Sequence, residues 1–161
     1  MFNVKTITRI GVVAAITTIL SMITVYQLPA GGSISLYLIP LIICSLNMKF
    51  AEGFFLAIVC ATLQIIFGGF VLNPIQVILD YYLPLVLITS LPTLVKGNYK
   101  YLLVLVGFCI ALLSYIISGM IFFETLFAAS FAYNASFFIP TIIISLPVAY
   151  LVNKRVERLF D

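Results

Sequence analysis

The chain has 161 residues, 64% of them hydrophobic and only 8% charged, with a formal net charge of +3. A soluble domain carries roughly 25% charged residues, so this chain cannot clothe a water-facing surface, and its solvent is lipid. The scattered basic residues exclude a nucleic-acid-binding groove, and the absence of histidine, with Cys44, Cys60 and Cys109 in separate apolar runs, excludes a zinc site or a disulfide framework.

A membrane-crossing helix takes about 20 mostly apolar residues. By that measure the sequence predicts an all-α integral membrane protein, one domain over residues 1–161, with six transmembrane helices and short connections. In chain order the spans are 8–27, a short 34–48, 51–69, 74–95, 101–123 and 134–153. Pro29 and the following "AGG" end the first, Gly68-Gly69 end the third, and "KGNYK" separates the fourth from the fifth. Pro40, Pro84, Pro92, Pro140 and Pro147 fall inside spans, where neighbouring helices satisfy the freed backbone groups. The first span is longer than the apolar core of a cleaved signal peptide, so it is expected to stay.

Charge gives the direction. Lys5 and Arg9 precede span one, and Lys49 lies between spans two and three. Lys96 and Lys100 lie between four and five, and Lys154, Arg155 and Arg158 follow span six. With six spans all of these fall on one side, while 28–33, 70–73 and 124–133 carry no Lys or Arg. Both termini are therefore expected in the cytoplasm of a bacterial cell, with the chain in its plasma membrane.

Small residues mark close helix approach in lipid. Gly11-x-x-x-Ala15, Gly53-x-x-x-Ala57-x-x-x-Ala61 and Gly107-x-x-x-Ala111 fit packing within the bundle; Gly11 and Ala15 also fit docking to another membrane subunit. Polar residues are sparser. In "NPIQVILDYYLP", Asn73, Gln76 and Asp80 follow one helical face. Asp80 lies about 10 Å below the outer mouth at 1.5 Å per residue. An intramembrane acid costs about 2.5–3.5 kcal/mol on insertion scales and marks a functional site by default. No Lys or Arg lies in the outer half of the membrane, so Asp80 is either a buried, protonated carboxyl or a carboxylate whose cation arrives as ligand. Tyr81, Tyr82, Tyr115, Ser118, Gly119 and Phe122 supply aromatic and small polar neighbours. In span six Asn134, Phe138, Thr141 and Ser145 share a face. Tyrosine rings can stack on a cation or belong to an interfacial belt; for Tyr133 the belt reading is the expectation. Glu124 is read as a solvated loop residue.

"LPAGGSISLYLIPL", "NPIQVILDYYL", "SGMIFF" and "FAYNASFFIP", in order and spacing over nearly the whole chain, resemble the ThiT family. These are thiamine-specific S components of energy-coupling factor (ECF) transporters. The resemblance implies an S-component-like six-helix bundle that captures thiamine, or a related small heterocyclic vitamin or precursor, from outside. It also implies partners: a transmembrane T component and two ATPase subunits. Consistent with ATP being hydrolysed elsewhere, the chain has no G-x-x-x-x-G-K-[ST] loop. Residue by residue, it implies that Asp80 pairs with the thiazolium charge and that Tyr81 stacks nearby. Gly119 lets ligand approach the backbone, Asn134 bonds the aminopyrimidine, and Gly32 and Ser33 belong to a lid. Tyr115, Gln76 and Ser118 complete the expected binding set, and Gly11 and Ala15 the docking motif. The sequence departs from the family where Tyr115 replaces a histidine, Ala111 an arginine, and Ala128-Ala129 a Trp-Tyr pair.

A stand-alone secondary transporter or channel is the alternative, but such carriers tend to hold chains of intramembrane ionisable groups, and here only Asp80 lies at membrane depth, Glu52 falling at the edge of its span. An enzyme is not expected: acid–base chemistry would want a second positioned group beside Asp80. No cofactor or metal is expected.

Overall fold

The computed structural model describes residues 3–97, 99–156 and 158; Asn98 of the "KGNYK" turn and the chain ends at 1–2, 157 and 159–161 lie outside the described residues. Among the described residues the chain forms an all-α bundle with one short β-ribbon. Helix α1 (Val4–Met22) starts where the Asn3 side chain accepts from the Thr6 amide at 2.8 Å, a standard N-cap. Strands β1 (Thr24–Gln27) and β2 (Ser33–Ser35) follow, then α2 (Leu38–Asn47) and α3 (Phe50–Ile66). Helix α4 covers Pro74–Leu94, α5 Tyr99–Phe122 and α6 Phe127–Val156.

Helices α1, α4, α5 and α6 are long and apolar enough to cross a membrane, while α2 and α3 are shorter apolar helices. At 1.5 Å per residue α2 is about 15 Å long, half of a hydrocarbon core of about 30 Å. It is buried almost throughout, from Leu38 to Leu46. Outward-facing side chains such as Ile16, Leu113 and Ile143 are exposed and apolar, as a lipid-facing surface requires.

The first helix ends five residues short of the expected 27. Ile23, Thr24, Val25 and Tyr26 are β-branched or aromatic and favour an extended backbone, and β1 pairs antiparallel with β2 through Tyr26–Ile34 and Gln27–Ser33. The Leu28 amide donates to the Gly32 carbonyl at 2.7 Å and closes the ribbon's tip. At the other extreme, α6 begins seven residues before the expected 134, since "FAASFAY" contains nothing that breaks a helix.

The glycines expected to pack helices divide into two groups. A Cβ on Gly53 would stand 2.7 Å from the Thr89 carbonyl oxygen, and one on Gly107 would stand 3.2 Å from that of Leu87. Both glycines seat their helices against α4, and Thr89 Oγ1 donates across to the Gly53 carbonyl at 2.9 Å. Gly11 has nothing within 4 Å, and Gly11 and Ala15 are exposed. Neither is enclosed by the bundle.

One end of the bundle is stitched by polar contacts between segments. Asn47 Nδ2 donates to Asn153 Oδ1 at 2.5 Å, joining the ends of α2 and α6. The Lys100 ammonium donates to the Leu46 carbonyl, holding the start of α5 to the end of α2. Thr6 Oγ1 donates to Glu52 at 3.5 Å, from α1 to α3. The described basic residues of these segments gather at this end, and the β-ribbon lies at the other.

Candidate ligand-binding site

At the ribbon end, where α1, α3 and α5 finish and α4 and α6 begin, the helices enclose a cavity of about 670 Å³. Asp80 and Tyr81 reach it from α4, Tyr115 and Gly119 from α5, and Asn134 from α6, while Gly32 and Ser33 approach from the ribbon. Seven of the residues expected to bind ligand are thus brought to one hollow. Among the described residues no lysine or arginine lines it, and Asp80 is its only acid.

The local fold of α4 explains where Asp80 points. Asn73 caps the helix, accepting from the amides of Ile75 and Gln76 at 3.0 Å each. Asn73 is therefore engaged in capping. Pro84, about three turns on, has no N–H to return to the preceding turn. The chain answers with a π-helical turn over Ile78–Tyr82, in which the Leu83 amide reaches back five residues to the Ile78 carbonyl. In that register the Leu79 carbonyl would meet the missing Pro84 donor; Ser114 Oγ of α5 supplies one instead, at 2.6 Å. Such turns are frequent at functional sites, and Asp80 sits in the middle of this one.

Gln76 and Ser118 do not line the cavity. Gln76 is 1% exposed and stands behind Asp80. Its Nε2 donates to Asp80 Oδ2 at 2.5 Å and to the Phe70 carbonyl at 3.1 Å, and its Oε1 accepts from the Leu72 amide at 3.1 Å. It ties the turn after α3 to the carboxylate and fixes the carboxylate's direction. Ser118 is also buried; its hydroxyl faces Asp80 but meets no partner at hydrogen-bonding geometry.

Tyr81 is anchored through its hydroxyl, which accepts from the Phe70 amide at 2.7 Å and donates to the Phe70 carbonyl at 3.3 Å. Tyr115 packs edge-on to Phe138 at 5.2 Å and tilted to Phe137 at 6.2 Å between centroids, with its hydroxyl beside that of Tyr37. Asn134 Nδ2 is committed to the carbonyls of Ser130 (2.9 Å) and Tyr115 (3.3 Å) and to Ser130 Oγ at 3.3 Å, so its carbonyl oxygen is the atom left to meet a donor. Gly119 shows a second use for a missing side chain. A Cβ there would collide with Ser130 Oγ, so this glycine lets α6 approach α5.

Tyr133 departs from the belt reading. It lines the cavity, and its hydroxyl accepts from the Gly32 amide at 3.1 Å and donates to the Pro29 carbonyl. It grips the ribbon's tip over the hollow. Gly32 has no room for more: a Cβ there would lie 2.8 Å from both Phe137 and the Tyr133 hydroxyl. Tyr133 sits one residue before Asn134, and a span begun at 134 hid it. Among the described residues no group of three His, Cys, Asp or Glu could hold a metal ion. Glu124 is exposed, in the left-handed region at φ 52° between α5 and α6.

A neutral cleft with one oriented carboxylate, ring faces and a gripped loop suits capture of a small cation without any bond being made or broken. The family model described as thiamine transporter protein (Thia_YuaJ) matches residues 7–161. The chain belongs to this family. Thiamine transporter ThiT of Bacillus subtilis (strain 168) is 26% identical over 175 residues, spanning 94% of this chain and 91% of that protein. A solved structure of ThiT from Listeria monocytogenes has the same fold, with a TM-score of 0.74 at 18% identity over 96% of each chain. As a thiamine transporter family member the chain works in transport, not catalysis.

Proposed function

We propose that this chain is the substrate-capturing S component of an ECF-type importer, which takes thiamine or a closely related vitamin from outside the cell. In this reading all six helices belong to the membrane domain, with both termini in the cytoplasm and the cavity open toward the exterior. The clustering of the basic residues at the stitched end supports that orientation.

The single observation that carries the reading is Asp80: a carboxylate aimed into an uncharged hollow, with one amide donor behind it and no cation among the lining residues. A buried charge without a counter-charge is strongly unfavourable, and a ligand bearing a fixed positive ring charge supplies what the chain does not. Tyr81 and Tyr115 offer ring surfaces to such a ring, the Asn134 carbonyl oxygen can accept from an exocyclic amine, and Gln76 positions the acid, with Ser118 beside it. Gly32 and Ser33 act as part of the lid. Gly11 and Ala15, exposed and unencumbered on α1, are the docking surface for the T component, which with two ATPase subunits would drive release inward.

Calorimetric titration of purified protein with thiamine tests this. Asp80→Asn removes the charge but keeps the shape, and is expected to weaken binding by at least about 100-fold, the scale of losing one partner of a buried ion pair. Unchanged affinity would remove the electrostatic role of Asp80.

A further inference from the structure

The floor of the cavity holds a residue that the spacing of polar side chains did not single out. Tyr37 stands at the entry to α2, immediately before the fully buried Leu38. It packs with Tyr115 against the buried core, and both rings line the hollow. Both side chains are only part-buried, and neither hydroxyl is among the sealed, unpartnered atoms of the bundle. The two hydroxyls lie within hydrogen-bonding reach of each other, and among the described residues no other group bonds either one. A phenol has one O–H to give and an oxygen that accepts. Two phenols facing each other consume one O–H between them, whichever ring gives it, and leave the other without an acceptor. An unmet O–H on a largely apolar floor is unfavourable, and phenylalanine at position 37 would fill the same space without it.

We propose that Tyr37 and Tyr115 form a paired-phenol donor on the cavity floor, which gives its spare O–H to an uncharged nitrogen in a flat heteroaromatic ring of the ligand. The spare hydrogen selects an acceptor atom. Charge selects a neutral one. The Asp80 carboxylate lies within electrostatic reach of the Tyr115 hydroxyl and is the sole charge among the described lining residues, so an anionic acceptor would be repelled with no cation to offset it. The neighbourhood selects a flat ring, because the floor beside the hydroxyls is made of the Tyr115 and Phe137 rings. A hydroxyl that accepts one bond while donating another is a stronger donor, which is what the pair offers over a single tyrosine. The ligand is therefore held in two parts, its positive ring at Asp80 and its neutral nitrogen heterocycle at Tyr37 and Tyr115. This rests on the cation-capture reading above and adds a specificity determinant to it.

The test compares two probes by calorimetry: thiamine, and the analogue in which an aminophenyl ring replaces the aminopyrimidine, with both ring nitrogens exchanged for C–H and the amine kept. The wild-type chain is expected to favour thiamine by about five- to tenfold, the worth of a hydrogen bond to a donor otherwise left unmet. Tyr37→Phe should cut that preference by about twofold or more, and Tyr37→Phe with Tyr115→Phe should remove most of it. Circular dichroism checks that each variant is folded; should the double variant fail to fold, Tyr37→Phe alone decides. An undiminished preference in Tyr37→Phe, an equal loss of affinity for both probes, or no preference in the wild-type chain would overturn the assignment while leaving Asp80 untouched. Binding of neither probe by the wild-type chain would overturn the proposed function and this assignment with it.

Discussion

The two ends of the bundle are finished differently. At the stitched end the polar side chains of α2, α5 and α6 find each other: Asn47 meets Asn153, and Lys100 closes the last carbonyls of α2. At the ribbon end polar atoms of Gln64, Ser35 and Ser118 lack partners, and the Asp80 carboxylate has an amide where a cation would be expected. Single unpartnered hydroxyls occur elsewhere in the bundle too, at Ser90 and Ser145, so what sets the ribbon end apart is a carboxylate beside a cavity in which no described lining residue is cationic. The contrast also separates two kinds of glycine. Gly53, near the stitched end, is filled by a neighbouring backbone, whereas Gly11 on the same side of the molecule is bare.

Substitutions that test this contrast should act on one end without the other. The largest effect on stability is expected from Gly53→Val, which drives a side chain into the Thr89 carbonyl at 2.7 Å. Backbone cannot swing aside, so thermal unfolding in detergent should show a loss of about 2 kcal/mol from overpacking, with thiamine affinity per folded molecule unchanged. Gly11→Trp is the matched control: stability and thiamine titration stay as they are, while uptake by the assembled importer is lost. If Gly11→Trp unfolds the chain, α1 packs through that face and the docking surface is misassigned. Next, Tyr133→Phe removes the hydroxyl that grips Gly32 and Pro29. It should speed thiamine release about fivefold in stopped-flow measurements, about 1 kcal/mol for hydrogen bonds that water can partly replace, with little change in unfolding temperature. Equal release rates would mean that the ribbon is held by packing on Phe137 alone. The smallest effect is expected from Asn153→Ala, which leaves Asn47 without its cross-helix partner and should cost about 1 kcal/mol of stability. A change in thiamine affinity there would show that the two ends are coupled, and the contrast would fail.

Much of the bundle was legible in the sequence because lipid imposes a simple rule: long apolar runs, interrupted by charge or turn residues. Helices α3, α4 and α5 lie within three residues of the boundaries expected for spans three to five, since Lys49, Gly68-Gly69, Asn73-Pro74 and "KGNYK" are clear punctuation. The rule failed where apolar content outlasted helix. "TVYQ" is as compatible with a strand as with a helix end, and only its pairing with "SIS" across the Leu28–Gly32 turn decides it. Six spans were expected, yet α2 is only ten residues long, because its preceding residues form the ribbon.

The site was legible at Asp80, because one acid among apolar residues is conspicuous. Its surroundings were less so. The i, i+3, i+7 course placed Gln76 on Asp80's own face, and the two side chains do bond there; Gln76 is turned from the cavity because Phe70 and Leu72, in the turn after α3, engage its carboxamide. Tyr133 was assigned to the interface because an aromatic near a helix start is usually there, and its grip depends on a loop 101 residues away in the chain. Spacing does not encode such contacts. Gly11, Gly53 and Gly107 make the same point, for one motif hides two different environments.

The wide turn at Ile78–Tyr82 carries a consequence for how this pocket could diverge. It amounts to one residue inserted into a regular helix, so it works as an angular offset of about 100° between the two halves of α4. The half toward Leu94 can keep its fixed seat on α3 and α5 while the half toward Asn73 is dialled independently. Deleting a single residue there would swing the acid away from the hollow in one step without disturbing the rest of the bundle. Gain or loss of one codon, more than any exchange of side chains, is thus the shortest route from this selectivity to another.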